Sequence, residues 1–136
     1  MRRRQEGEIA RSGQMARAVG RDAEQLAVGF LKARGYRVRE TNVRFRDGEI
    51  DIVAEDGETL VFVEVRARRP GPYGTAAESI GTAKRTRIYR AAERYLQERE
   101  PECMRPARID AVLITLDGSG RAREIQLIPN ALEQPS

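Results

Sequence analysis

Between Ala16 and Arg34 of the 136-residue chain, Val19, Ala23, Leu26, Ala27, Phe30 and Leu31 recur at intervals of three and four. That rhythm predicts an amphipathic helix, stopped by Gly35. Tyr36–Val43 alternates weakly and predicts a first strand. Gly48–Glu55 and Thr59–Ala67 follow as the second and third, joined at Asp56–Gly57, a dipeptide that favours a two-residue hairpin turn. RRPGPYGTAAESIG, with two prolines and three glycines, breaks both periods and predicts a loop. A second helix runs from Ser79 or Thr82 to Arg99, with Ile88, Ala91, Ala92, Tyr95 and Leu96 on one face. Arg108–Leu116 predicts a buried strand, Asp117–Gly118 a turn and Glu124–Ile128 an edge strand.

The order is helix, three strands, helix, strand, with a further strand at the end. A helical crossover between the third strand and Ile109–Leu116 requires a parallel pair with a right-handed connection. The expected fold class is therefore α/β, a single domain with a mixed central sheet flanked by helices. No internal repeat or linker divides it. The domain spans 16–130, with a flexible basic tail at 1–15 and a short C-terminal tail at 131–136.

Composition narrows the chemistry. One cysteine, Cys103, and no histidine exclude an internal disulfide, a Cys/His zinc site and His-based acid–base catalysis. No apolar run reaches membrane-spanning length. The basic start lacks the apolar stretch of a secretory signal, so the cytoplasm is the expected location. The net charge of +4 is unevenly spread. Residues 1–37 carry 9 basic and 4 acidic side chains, 38–64 carry 3 and 8, and 65–108 carry 11 and 5. An acidic segment between two basic ones suits a cation-binding pocket with a phosphate-attracting rim, or else an ordinary solvated surface. Arginine outnumbers lysine 23 to 2, a bias that reflects genomic base composition more than a demand for guanidinium chemistry.

The acidic segment raises a sharper question, because Glu49, Asp51, Glu64 and Arg66 lie inside the apolar hairpin GEIDIVAEDGETLVFVEVRAR. Burying unpaired charge costs more than packing returns. Side chains alternate faces along a strand, so Glu64 and Arg66 share one face with Leu60 and Phe62. A loop at Asp56–Gly57 sets Asp51 opposite Phe62 and Glu49 opposite Glu64. All four charged groups then emerge on one side, with Cβ separations of about 5 to 8 Å. Carboxylates so close repel unless a cation lies between them, and Mg²⁺ takes such oxygens together with water and phosphate. Arg66 adds a charge for a phosphate or a developing oxyanion. The group suits metal-assisted phosphodiester cleavage. An exposed charged face is the competing account and the better one for Glu49, which sits near the turn before its strand. Glu24 alone is an ordinary helical acid at the margin of the buried stripe, and Lys84 alone a side chain snorkelling at a helix start.

Four blocks, GRDAEQLAVGFLKARGY, NVRFRDGEIDIVAEDGETLVFVEVRAR, YGTAAESIGTAKRTRIYRAAERYL and RIDAVLI, together resemble the YraN-like family of bacterial proteins. The likeness covers residues 20 to about 128. That family is similar to Holliday-junction resolvases of the PD-(D/E)xK, or restriction-endonuclease-like, superfamily, whose core order αβββαβ is the order read above. The resemblance implies that Asp51 is the second-strand acid, Glu64 the acid of the E-x-K motif and Glu24 the helix-one carboxylate. Arg66 stands where that motif has lysine, a departure, and Lys84 matches a lysine of the second helix. The implied activity is that of an Mg²⁺- or Mn²⁺-dependent endodeoxyribonuclease acting on structured or branched DNA, with RNA as a further substrate class. Asp51, Glu64, the Val65 carbonyl and Glu24 would hold the metal, and Arg66 and Lys84 would face the scissile phosphate. Arg68, Arg69, Arg85, Arg87 and Arg90, with the 69–81 loop, would track the backbone. Likeness to the resolvases also implies a homodimer. The alternative is a non-catalytic nucleic-acid- or protein-binding module that retains the nuclease fold.

Overall fold

The computed structural model describes residues 12–69, 82–102 and 104–130, with side chains from residue 22 onward in the first helix and from 87 onward in the second. Helix α1 spans Ser12–Ala33, starting four residues before the periodicity of its apolar stripe. Strands β1 (Arg37–Phe45), β2 (Gly48–Asp56) and β3 (Thr59–Arg68) follow. Helix α2 is Thr82–Arg99, and strands β4 (Ala107–Leu116) and β5 (Ala122–Ile128) complete the chain. Residues 1–11 of the expected basic tail, most of the 69–81 loop and the C-terminal tail lie outside the described residues, whereas Ser12–Met15, expected in the tail, belong to α1.

α1 ends as its sequence requires. Gly35 takes φ +94°, while the Tyr36 and Gly35 amides donate to the Leu31 and Lys32 carbonyls, each at 3.0 Å. This is a Schellman cap, for which glycine carries no Cβ penalty. The five strands form one sheet in chain order, antiparallel except for β3 and β4. Their parallel register, Leu60↔Ala107 to Arg68↔Thr115, is closed by the connection that carries α2. One core joins Ala23, Ala27 and Leu31 of α1 to Ile52, Ala54, Val61, Val63, Val112 and Ile114. A second joins Ile88, Ala91, Ala92 and Tyr95 of α2 to Val53, Leu60, Phe62 and Ile109, and a small third holds Ala111 and Leu113 of β4. The molecule is a single α/β domain in which β2, β3 and β4 are covered on both faces.

The hairpin differs from expectation by one step. Asp56 pairs with Thr59, so Gly57 and Glu58 form the turn instead of Asp56 and Gly57. Gly57 has φ +62°, and Glu58 is not among the positive-φ residues. A positive φ at only the first turn residue is type II′ geometry, in which glycine comes first. Asp-Gly as the turn pair implies type I′ instead. The ladder therefore shifts by two residues: Phe62 pairs with Val53, not Asp51, and continuing the register sets Asp51 level with Glu64. Because the shift is even, it does not by itself change the face that alternation assigns to Asp51 relative to Glu64.

At the end of the sheet where α2 finishes, arginines and carboxylates interlock. Glu100 accepts from Arg105 at 2.6 Å and also from Arg39, and Arg105 reaches Glu55 at 2.9 Å. Hydrogen bonds from Arg105 and then Arg39 hold the Glu100 carboxyl down at about 2. A depressed carboxylate stabilises the fold above its unfolded pKa of about 4.3 and loses that contribution as pH falls through its folded value. Melting temperature should therefore fall between roughly pH 4.3 and pH 2. Part of that fall should vanish in Glu100→Gln, and an unchanged acid limb in that variant would refute the assignment.

Candidate functional site

The site forms where the sheet parts. Pairing of β2 with β3 runs from Asp56↔Thr59 only to Ile52↔Val63, whereas β2 stays with β1 down to Phe45↔Gly48. β3 meanwhile continues beside β4 to Arg68. Past Ile52 the β1–β2 ribbon therefore peels away, and the next residue is Asp51. Its Oδ2 accepts a hydrogen bond from the Val65 backbone N–H at 2.8 Å, so a carboxylate stands where a strand carbonyl would otherwise be.

Facing of the strands changes at the same level. Ile52 and Ala54 belong to the α1 core, and Val53 to the α2 core, as alternation requires. Ile50 should then join Ile52, yet it belongs to the α2 core with its partner Val43. On β1 the break falls at Asn42, which has φ +54° in the middle of the strand. Asn42 lies between the pairs Thr41↔Ile52 and Val43↔Ile50, level with Asp51. Beyond this pair the ribbon curls over α2. A Cβ at Gly48 would sit 2.4 Å from the Arg87 carbonyl oxygen, so only glycine permits the approach. Gly48→Ala should cost about 1–3 kcal/mol through displaced backbone. Urea unfolding reads this, and a loss below about 0.5 kcal/mol would mean that the ribbon can shift away freely.

On β3 the charges sit past the parting. Glu64 is 2 % exposed, and in register it lies beside Ala111 of β4, as Arg66 lies beside Leu113. Those neighbours give the charges an apolar flank, where electrostatic interactions are stronger than in water. Arg66 is half-buried, and its Nε is buried without a hydrogen-bond partner among the described residues. Glu24 of α1 is half-buried and accepts from Asn42 Nδ2 at 2.9 Å. A groove of about 300 Å³ lies there, lined by Glu24, Gln25, Val28, Thr41 and Asn42. β2 and β3 thus bring Asp51, Glu64 and Arg66 to one junction, and Asn42, level with Asp51, connects that junction to Glu24.

Glu49 is placed elsewhere. It pairs with Arg44 in register, and its carboxylate lies 3.7 Å from the Arg44 guanidinium with both side chains largely exposed. The pairing of Glu49 with Glu64 is corrected, because β2 has left β3 before residue 49. Arg68 and Arg69 are exposed at the end of β3, and Arg87 and Arg90 are exposed on α2. Lys84 and Arg85 fall in the first turn of α2, with side chains outside the described residues.

Among the described residues, no three Asp, Glu, Cys or His side chains gather around one point. A cation here would have Asp51 and Glu64 as its carboxylates, with the Val65 carbonyl as the backbone oxygen in reach of the same junction. Glu24 would act from the rim through water. Two carboxylates with the remaining positions left to water and phosphate oxygens is a donor set that fits Mg²⁺. It does not fit zinc.

Sequence reasoning missed Asn42, although asparagine is the non-glycine residue that most readily takes a left-handed backbone. It also missed Asp110 of β4, fully buried and bonded to Arg108, Tyr36 and the Asn130 amide.

An α/β domain with αβββαβ order and an acid-bearing junction between its second and third strands defines the class. The uncharacterised protein family UPF0102 matches residues 23–114, from Ala23 at the middle of α1 to Ile114 near the end of β4. A UPF0102 protein of Symbiobacterium thermophilum is 48% identical over 117 residues, 86% of this chain and 98% of its own length. One from Nitrosococcus oceani is 48% identical over 99 residues, covering 73% and 80% of the two chains. Another from Dehalococcoides mccartyi is 43% identical over 114 residues, 84% and 92%. The chain belongs to the UPF0102 family, the YraN-like proteins that its sequence resembles. The matched segment contains Glu24, Asn42, Asp51, Glu64, Arg66, Lys84 and Asp110, and it excludes β5.

Proposed function

We propose that the chain is a metal-dependent nuclease that hydrolyses phosphodiester bonds in structured or branched DNA. The observation that carries the reading is the junction itself: β2 leaves β3 at Asp51, whose carboxylate accepts from the Val65 amide, between Glu64 and Arg66, and the Arg66 Nε is buried with no hydrogen-bond partner among the described residues. Bound Mg²⁺ or Mn²⁺ would supply charge neutralisation and a water of lowered pKa. Asp51 and Glu64 hold the cation. Val65 fixes Asp51 through its amide, which limits the rotamers open to that carboxylate. Arg66 binds the non-bridging phosphate oxygens and offsets the charge that builds on them. Arg68, Arg69, Arg87 and Arg90 contact the backbone away from the cut, and Lys84 is the lysine that would face the scissile phosphate. Binding of this kind is salt-sensitive and largely independent of sequence. We place the protein in the cytoplasm and expect it to act as a homodimer. Among the described residues no helix is long and apolar enough to cross a membrane.

Cleavage of labelled single-stranded, duplex, flap and four-way-junction DNA with Mg²⁺ or Mn²⁺ tests the reading. Activity on at least one form, lost with chelator, is expected.

One observation favours a second reading, a binding module that has kept the fold. Arg66 stands where the E-x-K motif has lysine. Arginine stays protonated and is bulkier, so it can hold phosphate charge but cannot easily exchange a proton with the attacking water. If the general preference for arginine accounts for Arg66, Arg66→Lys keeps or increases cleavage. Arg66→Ala then loses a factor of about ten or more in rate while DNA affinity falls far less. If wild type and Arg66→Lys both fail to cut any form yet bind DNA in a salt-dependent way, the binding module replaces the nuclease.

A further inference from the structure

Asn42 does two things that nothing in the strand pattern requires. Its left-handed backbone interrupts β1 at the level of Asp51, and its side-chain amide reaches across to α1. Glycine would serve the backbone alone, because it takes positive φ without penalty. Asparagine tolerates the same conformation and adds a donor. Strain of this kind in mid-strand marks places where geometry matters to function. Here the geometric consequences run through both strands. Before Asn42, Glu40 faces α2 and accepts from the Tyr95 hydroxyl at 2.6 Å. Simple alternation would then turn Asn42 toward α2 and Val43 toward α1. Instead Asn42 reaches Glu24 of α1, and Val43 joins the α2 core. The facing of β2 changes in step between Ile50 and Ile52, with Asp51 at the crossing point.

We infer that Asn42 is the positioning residue of the acid junction. Its backbone sets the crossing that presents Asp51 to Val65, and its amide holds the Glu24 carboxylate at the rim. The inference rests on the metal-site reading above. The Asn42–Glu24 hydrogen bond is exposed, and an exposed hydrogen bond contributes little net stability. Its effect is therefore on where a carboxylate points. Groups that orient metal ligands from behind change affinity by about 10- to 100-fold.

The two roles separate by substitution. Asn42→Gly keeps the left-handed backbone and removes the amide. Asn42→Ala removes both, and Asn42→Asp keeps a tolerated backbone but sets a second carboxylate against Glu24. Mn²⁺ binding by calorimetry, with the electron paramagnetic resonance line of bound Mn²⁺, reads the site directly, and thermal melting reads the fold. Asn42→Gly should melt near wild type and bind Mn²⁺ about tenfold more weakly. Asn42→Ala should melt lower as well. Asn42→Asp should bind weakly. Wild-type affinity in Asn42→Gly overturns the positioning role while leaving the nuclease reading standing. If wild type itself binds no Mn²⁺, the metal-site reading fails, and this inference with it.

Discussion

Asp110→Ala is expected to be the most destabilising single substitution away from the acid junction, at about 3–5 kcal/mol. Asp110 is 0 % exposed, yet its carboxylate has a full set of donors. Arg108 Nε lies 2.9 Å from Oδ1, the Asn130 amide 2.8 Å from Oδ1, and the Tyr36 hydroxyl 3.1 Å from Oδ2. These partners come from the start of β1, from β4 and from the residues after β5, so one carboxylate ties three separate parts of the chain. The alanine variant removes the acceptor of the Tyr36 hydroxyl and of the Asn130 N–H and the main acceptor of Arg108. Arg108 retains Asp56 at 3.0 Å, which softens the loss without replacing it. For a domain of this size the melting temperature should drop on the order of 10–20 °C. Asp110→Asn, nearly isosteric but uncharged, should fall between the two. Tyr36→Phe should cost about 1–3 kcal/mol, because the hydroxyl donates to Asp110 and also accepts from Arg108 at 2.8 Å. Chemical denaturation of the four proteins measures the series, and a loss under about 1 kcal/mol for Asp110→Ala would show that water replaces the carboxylate.

The second large effect belongs to the junction. Glu64→Gln and Asp51→Asn should each lower cleavage by about a hundredfold or more, the loss of roughly 2.7 kcal/mol of transition-state stabilisation. Their routes differ. Glu64→Gln removes charge from a carboxylate that is 2 % exposed, so cation affinity falls. Asp51→Asn also weakens the bond to the Val65 amide, since a neutral carbonyl accepts less strongly than a carboxylate. It should therefore lose both metal affinity and some stability. Melting curves with and without Mn²⁺ separate the two by ligand linkage. Equal behaviour of the two variants would deny Asp51 its structural bond.

How far the chain discloses itself depends on the range of the interaction. Elements governed by local periodicity were legible: α1 from its apolar stripe, β3 and β4 from their continuous apolar runs, and α2 from Ile88, Ala91, Ala92 and Tyr95. The likeness to a known family had the same basis, four blocks in order. The hairpin was legible in facing but not in register. Asp-Gly suggests a type I′ turn, and the structure uses Gly57–Glu58 as type II′. An error of two residues is even, so alternation alone still assigns Asp51 and Glu64 to a common side, whereas the place expected for Glu49 did not survive. The reversal at Asn42 was illegible, because period-two reasoning assumes every residue has strand geometry. Asp110 was illegible for another reason. Its partners at residues 36, 108 and 130 are remote in sequence or on the same strand, and no local pattern signals a buried carboxylate with three donors.

The account stands on a cation held between Asp51 and Glu64, and calorimetric titration of Mn²⁺ into wild type and Glu64→Gln tests it most directly. Wild type should bind at one site per chain with a rise in melting temperature that tracks occupancy, and Glu64→Gln should show neither. Absence of heat at millimolar Mn²⁺ with unchanged melting of the wild type, or equal binding by both proteins, would contradict it.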